Sequence, residues 1–128
     1  MCIPLYTSHV RAGFPTPADD YIEEMLDLNQ YLIKNPSSTF IVRVSGDSMV
    51  GIGIRSGSLL IVDRSIEPSH NKIVIAALSG ELTVKRLVLS QEKVSLVAEN
   101  PDYPTIDVTD ELDMVIWGVV TNMIQAFP

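Results

Sequence analysis

Ser48 and Lys85 are the two residues of this chain whose types and surroundings could do chemistry together. The serine stands in Ser45-Gly46-Asp47-Ser48-Met49 and the lysine in Thr83-Val84-Lys85-Arg86-Leu87. A serine hydroxyl is a weak nucleophile at neutral pH and needs a base. A lysine becomes that base when burial disfavours its ammonium form. Gly46 ends an apolar run, so Ser48 falls in a turn. There its hydroxyl can be exposed, and nearby backbone N–H groups can point at a substrate carbonyl as an oxyanion hole. Strand alternation puts Thr83, Lys85, Leu87 and Leu89 on one face, with Leu82, Val84, Arg86 and Val88 on the other. The lysine therefore shares its face with leucines, which depresses its pKa, and with Thr83, which can orient the amine. The pair reads as a Ser-Lys hydrolytic dyad, one variant of the Ser-His-Asp arrangement. The blander alternatives are a turn-forming serine and an edge-strand lysine that deters aggregation.

Other chemistries find little support. Lys72 opens a strand, and Lys34 and Lys93 sit at element ends, so all three are expected to face solvent. His9 and His70 are far apart and lack metal-ligand spacing. Asp107, Asp110, Glu111 and Asp113 do not form a calcium-loop pattern, and Glu23-Glu24 reads as a solvated face. No cofactor and no metal are expected. Cys2 is the only cysteine, which excludes a disulfide within the chain and fits a reducing cytoplasm. Nine basic and sixteen acidic residues give a formal net charge of −7, the wrong sign for holding nucleic acid by its phosphates. A role near DNA would run through protein partners. No stretch has the length of a membrane span, and the N-terminus lacks the basic and apolar segments of a secretory signal. The expected location is the cytoplasm.

The elements that must position the pair can be read in outline. At 128 residues, 46% of them hydrophobic, the chain is long enough for one domain with a real core. Residues 1–20 read as an arm, with Pro15 and Pro17 keeping it extended. An extended arm offers the kind of backbone a protease grips, and is equally the form of a disordered leader. Residues 21–26 are open between strand and helix. Asp27-Leu28-Asn29-Gln30 has the form of a capping box, with Gln30 reaching back, and opens a short helix over about 28–33. Six β segments follow, at 39–44, 59–63, 72–78, 81–89, 93–98 and 114–123, separated by turn signals that include Ser79-Gly80. Trp117 is expected in the core or at a dimer contact. The architecture implied for residues 21–128 is a compact, mostly antiparallel β domain with one short helix.

With these residues in place, the chain resembles the self-cleaving peptidase domain of the LexA/UmuD family. The resemblance is carried by Ser45-Gly46-Asp47-Ser48-Met49, Gly53-Ile54, Gly57, Leu59-Leu60-Ile61-Val62-Asp63 and Thr83-Val84-Lys85-Arg86-Leu87, with the dyad residues 37 positions apart. It extends through Ala12-Gly13-Phe14-Pro15, Asp27-Leu28-Asn29-Gln30, Ala98-Glu99-Asn100 and Trp117-Gly118-Val119-Val120. It implies Ser48 as nucleophile and Lys85 as general base, supported by Gly46, Met49 and Thr83. It implies an oxyanion held by the Ser48 N–H and another N–H near Gly46. The scissile bond implied is Ala12-Gly13, cut when a RecA–single-stranded DNA filament acts as coprotease. Only twelve residues precede Gly13, too few for the helix-turn-helix domain of a repressor, so the UmuD branch is the expectation. That branch implies a homodimer that joins a UmuC-type Y-family polymerase after losing its arm, in SOS mutagenesis.

Two departures from the family pattern stand out. The arm before Ala12-Gly13 is short, and the loop from Val50 to Ser58 lacks the acidic residues common there. Three alternatives remain at this stage. The first is a non-cleaving assembly subunit of the same polymerase with an idle dyad. A signal-peptidase-like enzyme is the second, opposed by the lack of an anchor. The third is a DNA-binding repressor fragment, opposed by the charge.

Overall fold

The computed structural model describes residues 1–7, 9–10, 12–13, 21–109 and 113–128, in two compact units, Met1–Lys34 and Asn35–Pro128. In the first unit, β1 (Cys2–Tyr6) pairs antiparallel with β2 (Ile22–Asp27), and a one-turn helix α1 (Leu28–Leu32) follows. The segment left open between strand and helix is thus a strand. Within the residues read as an extended arm, β1 pairs in spite of Pro4. Proline removes a ladder donor but is tolerated on an edge strand, and both strands of a two-stranded sheet are edges. Asp27 caps α1, its Oδ1 accepting from the backbone N–H of Asn29 at 3.0 Å and of Gln30 at 3.4 Å. The return bond expected from the Gln30 side chain is not among the bonds of the described residues. The arm features at Phe14-Pro15-Thr16-Pro17, and the acidic residues Asp110 and Glu111, lie outside the described residues.

The second unit is one antiparallel sheet of seven strands. They are β3 (Thr39–Arg43), β4 (Leu59–Asp63), β5 (Ile73–Leu78), β6 (Glu81–Ser90), β7 (Lys93–Val97), β8 (Ile106–Val108) and β9 (Met114–Ile124). Their spatial order is β3-β4-β9-β5-β6-β7-β8. The expected mostly β, antiparallel architecture is therefore what the chain adopts, with β8 as an extra strand too short to signal itself. β5 is central and buries both faces, which is why Ile73–Leu78 is an unbroken apolar run. Its Ile75 packs with Met49, Ile54, Leu60 and Val62, while its Val74 and Ala76 pack with Leu87, Leu96 and Val119. Ser79 (φ 50°) and Gly80 (φ 87°) close the β5–β6 hairpin with Leu78 opposite Glu81, the two-residue turn whose twist matches its strands.

Trp117 is not in the core. Ile75 pairs with Gly118 and Ala76 with Ile116, so Trp117 is the extra residue of a β-bulge on β9. It is 40% exposed, edge-on to Phe40 and beneath the Arg64 guanidinium. Among the described residues no helix is long and apolar enough to cross a membrane.

Asp63, at the end of β4, is 3% exposed yet charged. Its carboxylate accepts from Asn35 Nδ2 (2.8 Å), the Ser65 N–H (2.8 Å), Ser65 Oγ (2.6 Å) and Ser38 Oγ (2.9 Å). These bonds, that from Asn35 foremost, hold its pKa well below the usual carboxylate range. The folded value lies below the unfolded one, so the stabilisation is complete above about pH 4 and drains away as the pH falls further. The melting temperature should drop on acidification from pH 5 to pH 2, and drop less in Asp63→Asn. Equal losses in both proteins would refute the role given to this carboxylate.

Candidate active site

Ser48 is delivered by a loop with little freedom. β3 continues past Arg43 through bonds from the Val44 N–H to Ser58 O and from the Gly57 N–H to Val44 O, both 2.8 Å. The chain then turns at Gly46, whose φ of +98° is open to glycine and costly for other residues. The Gly46 N–H is directed at Ser56 Oγ, 3.4 Å away. Beyond Ser48, Met49 plunges into the core at 1% exposure, and a 3-10 turn over Val50–Ile52 follows. Ser48 is thus half-buried between a fixed turn and a buried anchor. Among the described residues its own N–H donates no hydrogen bond within the protein.

Lys85 comes from β6, opposite the fully buried Val74, and is itself 7% exposed. Burial pushes its pKa below the ordinary lysine value. Its Nζ lies 2.9 Å from Ser48 Oγ, 2.8 Å from Thr83 Oγ1 and 3.1 Å from the Val84 carbonyl oxygen. No ion pair of Lys85 with a carboxylate occurs among the described residues. The three partners match the three protons of an ammonium. A neutral amine keeps two N–H donors and gains one lone pair. The Val84 carbonyl can only accept, and Thr83 serves as an acceptor, so the lone pair of the neutral amine falls to the Ser48 hydroxyl. Such a pair can pass a proton from serine to lysine.

Beside Ser48 runs a cleft of about 230 Å³, walled by Val42, Val44, Leu60, Ile75, Leu82 and Val84 with Ser45 and Thr83 at its polar side. One wall is β3, an edge strand of the sheet, so an extended peptide could lie there by adding a strand. Ala12 and Gly13 belong to the other unit and are both exposed.

Sequence reasoning matched Ala98-Glu99-Asn100 to the family but missed that this segment braces the serine loop. The Gly51 N–H donates to Glu99 O at 2.7 Å, and a Cβ on Gly51 would collide with that same oxygen. The Glu99 N–H approaches Met49 Sδ at 3.3 Å, and Glu99 is itself paired with Arg86, the neighbour of Lys85. Asn100 Nδ2 donates to Asp47 O at 3.0 Å, and the Tyr103 hydroxyl donates to Asp47 Oδ1. That bond to the carboxylate raises the Tyr103 phenol above its ordinary pKa. Asn100 lies 53 and Tyr103 56 residues from Asp47, beyond any local pattern.

A mostly antiparallel β domain with a buried lysine in hydrogen-bond contact with a turn serine is the class this fold and site define. The chain belongs to the Peptidase S24-like family, whose model matches residues 4–121. It is 50% identical over 122 residues to Protein SamA of Salmonella typhimurium, covering 95% of this chain and 84% of that one. It is 45% identical over 123 residues to Protein ImpA of Escherichia coli, covering 95% and 83%. It is 38% identical over 117 residues to LexA repressor 1 of Pseudomonas syringae pv. tomato, covering 91% of this chain and 57% of the repressor. The likeness to UmuD-type members of the LexA/UmuD family, read from the motifs, holds along nearly the whole chain.

Proposed function

We propose that this chain is a UmuD-type SOS mutagenesis protein that cuts its own Ala12-Gly13 bond with Ser48 as nucleophile and Lys85 as base. The observation that carries the reading is the 2.9 Å contact between Lys85 Nζ and Ser48 Oγ in a buried setting with no competing carboxylate among the described residues. Neutral Lys85 takes the Ser48 proton as Oγ attacks the Ala12 carbonyl carbon. The Ser48 N–H, together with an N–H near Gly46, receives the negative charge that develops on the carbonyl oxygen. Collapse of the adduct breaks the bond to Gly13, whose leaving amine takes the proton from the Lys85 ammonium. The Ala12 acyl group on Ser48 is then released by water, with Lys85 again as base. Gly46 and Met49 hold the serine loop, and Thr83 holds the amine.

Cleavage would be slow until a RecA–single-stranded DNA filament favours the pose in which the arm occupies the cleft, a shift of population rather than added catalytic groups. The processed protein would act as a homodimer and accessory subunit of a UmuC-type Y-family polymerase in the cytoplasm, without sequence-specific DNA binding of its own. The test is intact mass after incubation with activated RecA filament, wild type beside Ser48→Ala. Loss of residues 1–12 in the wild type alone is the expected result. An unchanged mass in both would leave the idle-dyad assembly subunit as the better account. Cleavage in both would remove Ser48 from the mechanism.

A further inference from the structure

We infer that Asn100, with Tyr103, is a positioning residue that aims the Ser48 N–H at the reacting carbonyl; the inference rests on the peptidase reading above. The carbonyl of Asp47 and the N–H of Ser48 belong to one peptide unit. That unit is planar and trans, so the two groups point in opposite directions and turning one turns the other. This carbonyl accepts two hydrogen bonds, one from the Val50 N–H of its own turn at 3.3 Å and a shorter one from Asn100 Nδ2 at 3.0 Å, the one that ties it to a distant segment. Asn100 is itself held, because its Oδ1 accepts from the Asp102 N–H at 3.0 Å and its carbonyl accepts from the Tyr103 N–H at 3.1 Å. The Tyr103 hydroxyl takes the Asp47 carboxylate and stops the same residue from rolling about its backbone. One short segment therefore fixes Asp47 by both its backbone and its side chain, while the N–H on the far edge of the peptide has no acceptor among the described residues. A donor held ready in this way needs no reorganisation when charge develops. A carbonyl that already accepts a hydrogen bond also polarises its own N–H, making it the stronger donor.

Neither residue touches the cleft or the dyad, so each acts through Asp47. Two measurements on the full chain test this: the alkaline self-cleavage rate as a function of pH, and the amide resonance of Ser48 in the uncleaved protein. Asn100→Ala should lower the plateau rate about 10- to 100-fold, less than the roughly 10²- to 10³-fold cost of removing an oxyanion donor outright, because the Ser48 N–H is misaimed and not lost. The midpoint of the pH profile should not move, because Lys85 keeps its surroundings. The Ser48 amide should shift more than those of its neighbours. Tyr103→Phe, which deletes a single oxygen, should do the same to a smaller degree and serves as the second variant if Asn100→Ala unfolds. A purely structural role would lower the rate only through the unfolded fraction, measured by melting. An unmoved Ser48 amide overturns the inference whether or not the chain cleaves, and so does a moved amide with an unchanged rate in a cleaving chain. A wild type that never cleaves overturns the peptidase reading instead, while the amide shift still decides whether Asn100 orients the peptide.

Discussion

Self-cleavage of the wild-type chain, without any filament, is expected to rise about tenfold per pH unit and to level off below pH 10.5, the ordinary lysine value. The direction follows from the proton inventory at Lys85 Nζ. In the charged form all three N–H groups are engaged and nothing can accept from Ser48. In the neutral form one lone pair faces the hydroxyl. The rate therefore follows the neutral fraction, and burial moves the midpoint down from where an exposed lysine would place it. The other group near the loop whose ionisation could confuse the profile is Tyr103. Its phenol is pushed up by the hydrogen bond to Asp47, and the profile of Tyr103→Phe, which has no phenol to ionise, separates its share from that of Lys85. A flat profile would remove Lys85 as the base. A midpoint at or above the ordinary lysine value would mean that the amine is not desolvated in the reacting state.

The meeting of Ser48 and Lys85 was legible in the sequence because each half follows from local rules. Alternation along Glu81–Leu89 put Lys85 with Leu87, and both are buried. Gly46 marked the end of β3, and the loop does turn there with positive φ. The central strands were legible for the same reason, since Val- and Ile-rich runs between turn residues have few other ways to fold. What escaped depends on contacts between distant segments. Asp47 lies in the serine turn, and nothing near it in sequence announces its bonds to Asn100 and Tyr103. Arg86 was placed on the face away from Lys85, yet its partner Glu99 is set by the bend after β7. Of the two places expected for Trp117, the core is excluded by a bulge that shifts the alternation of β9 by one residue, and a bulge leaves no composition signal. The pairing of β1 had no local signal either, because Pro4 is compatible with a strand only when that strand has one neighbour and not two.

Replacing Lys85 by Met should cut self-cleavage at least about 10⁴-fold, the scale of losing a member of a catalytic unit, and leave a fold that melts no lower than wild type at pH 7. These two results go together only if the lysine is kept for chemistry at a cost in stability. Met is similar in length, apolar and adaptable, so it refills the space beside Val74. The Ser48 and Thr83 hydroxyls it abandons are half-buried, and water can serve them. The stability profile supplies a second, independent check. Unfolded, Lys85 holds its proton up to about pH 10.5; folded, it releases it earlier. Between those two values the unfolded chain binds more protons, so wild-type stability gains with rising pH, and below the folded value the penalty is constant. The Met variant should lack that alkaline gain. Lys85→Arg separates charge from proton transfer, because a guanidinium stays protonated and cannot serve as base. Arg should be as inactive as Met, and less stable, since it carries a permanent charge into the same site. An active Arg variant would mean that Lys85 stabilises charge rather than accepting the serine proton. A Met variant that melts far below wild type would mean that its hydrogen bonds outweigh its desolvation, reversing the order of effects on which the lowered pKa depends.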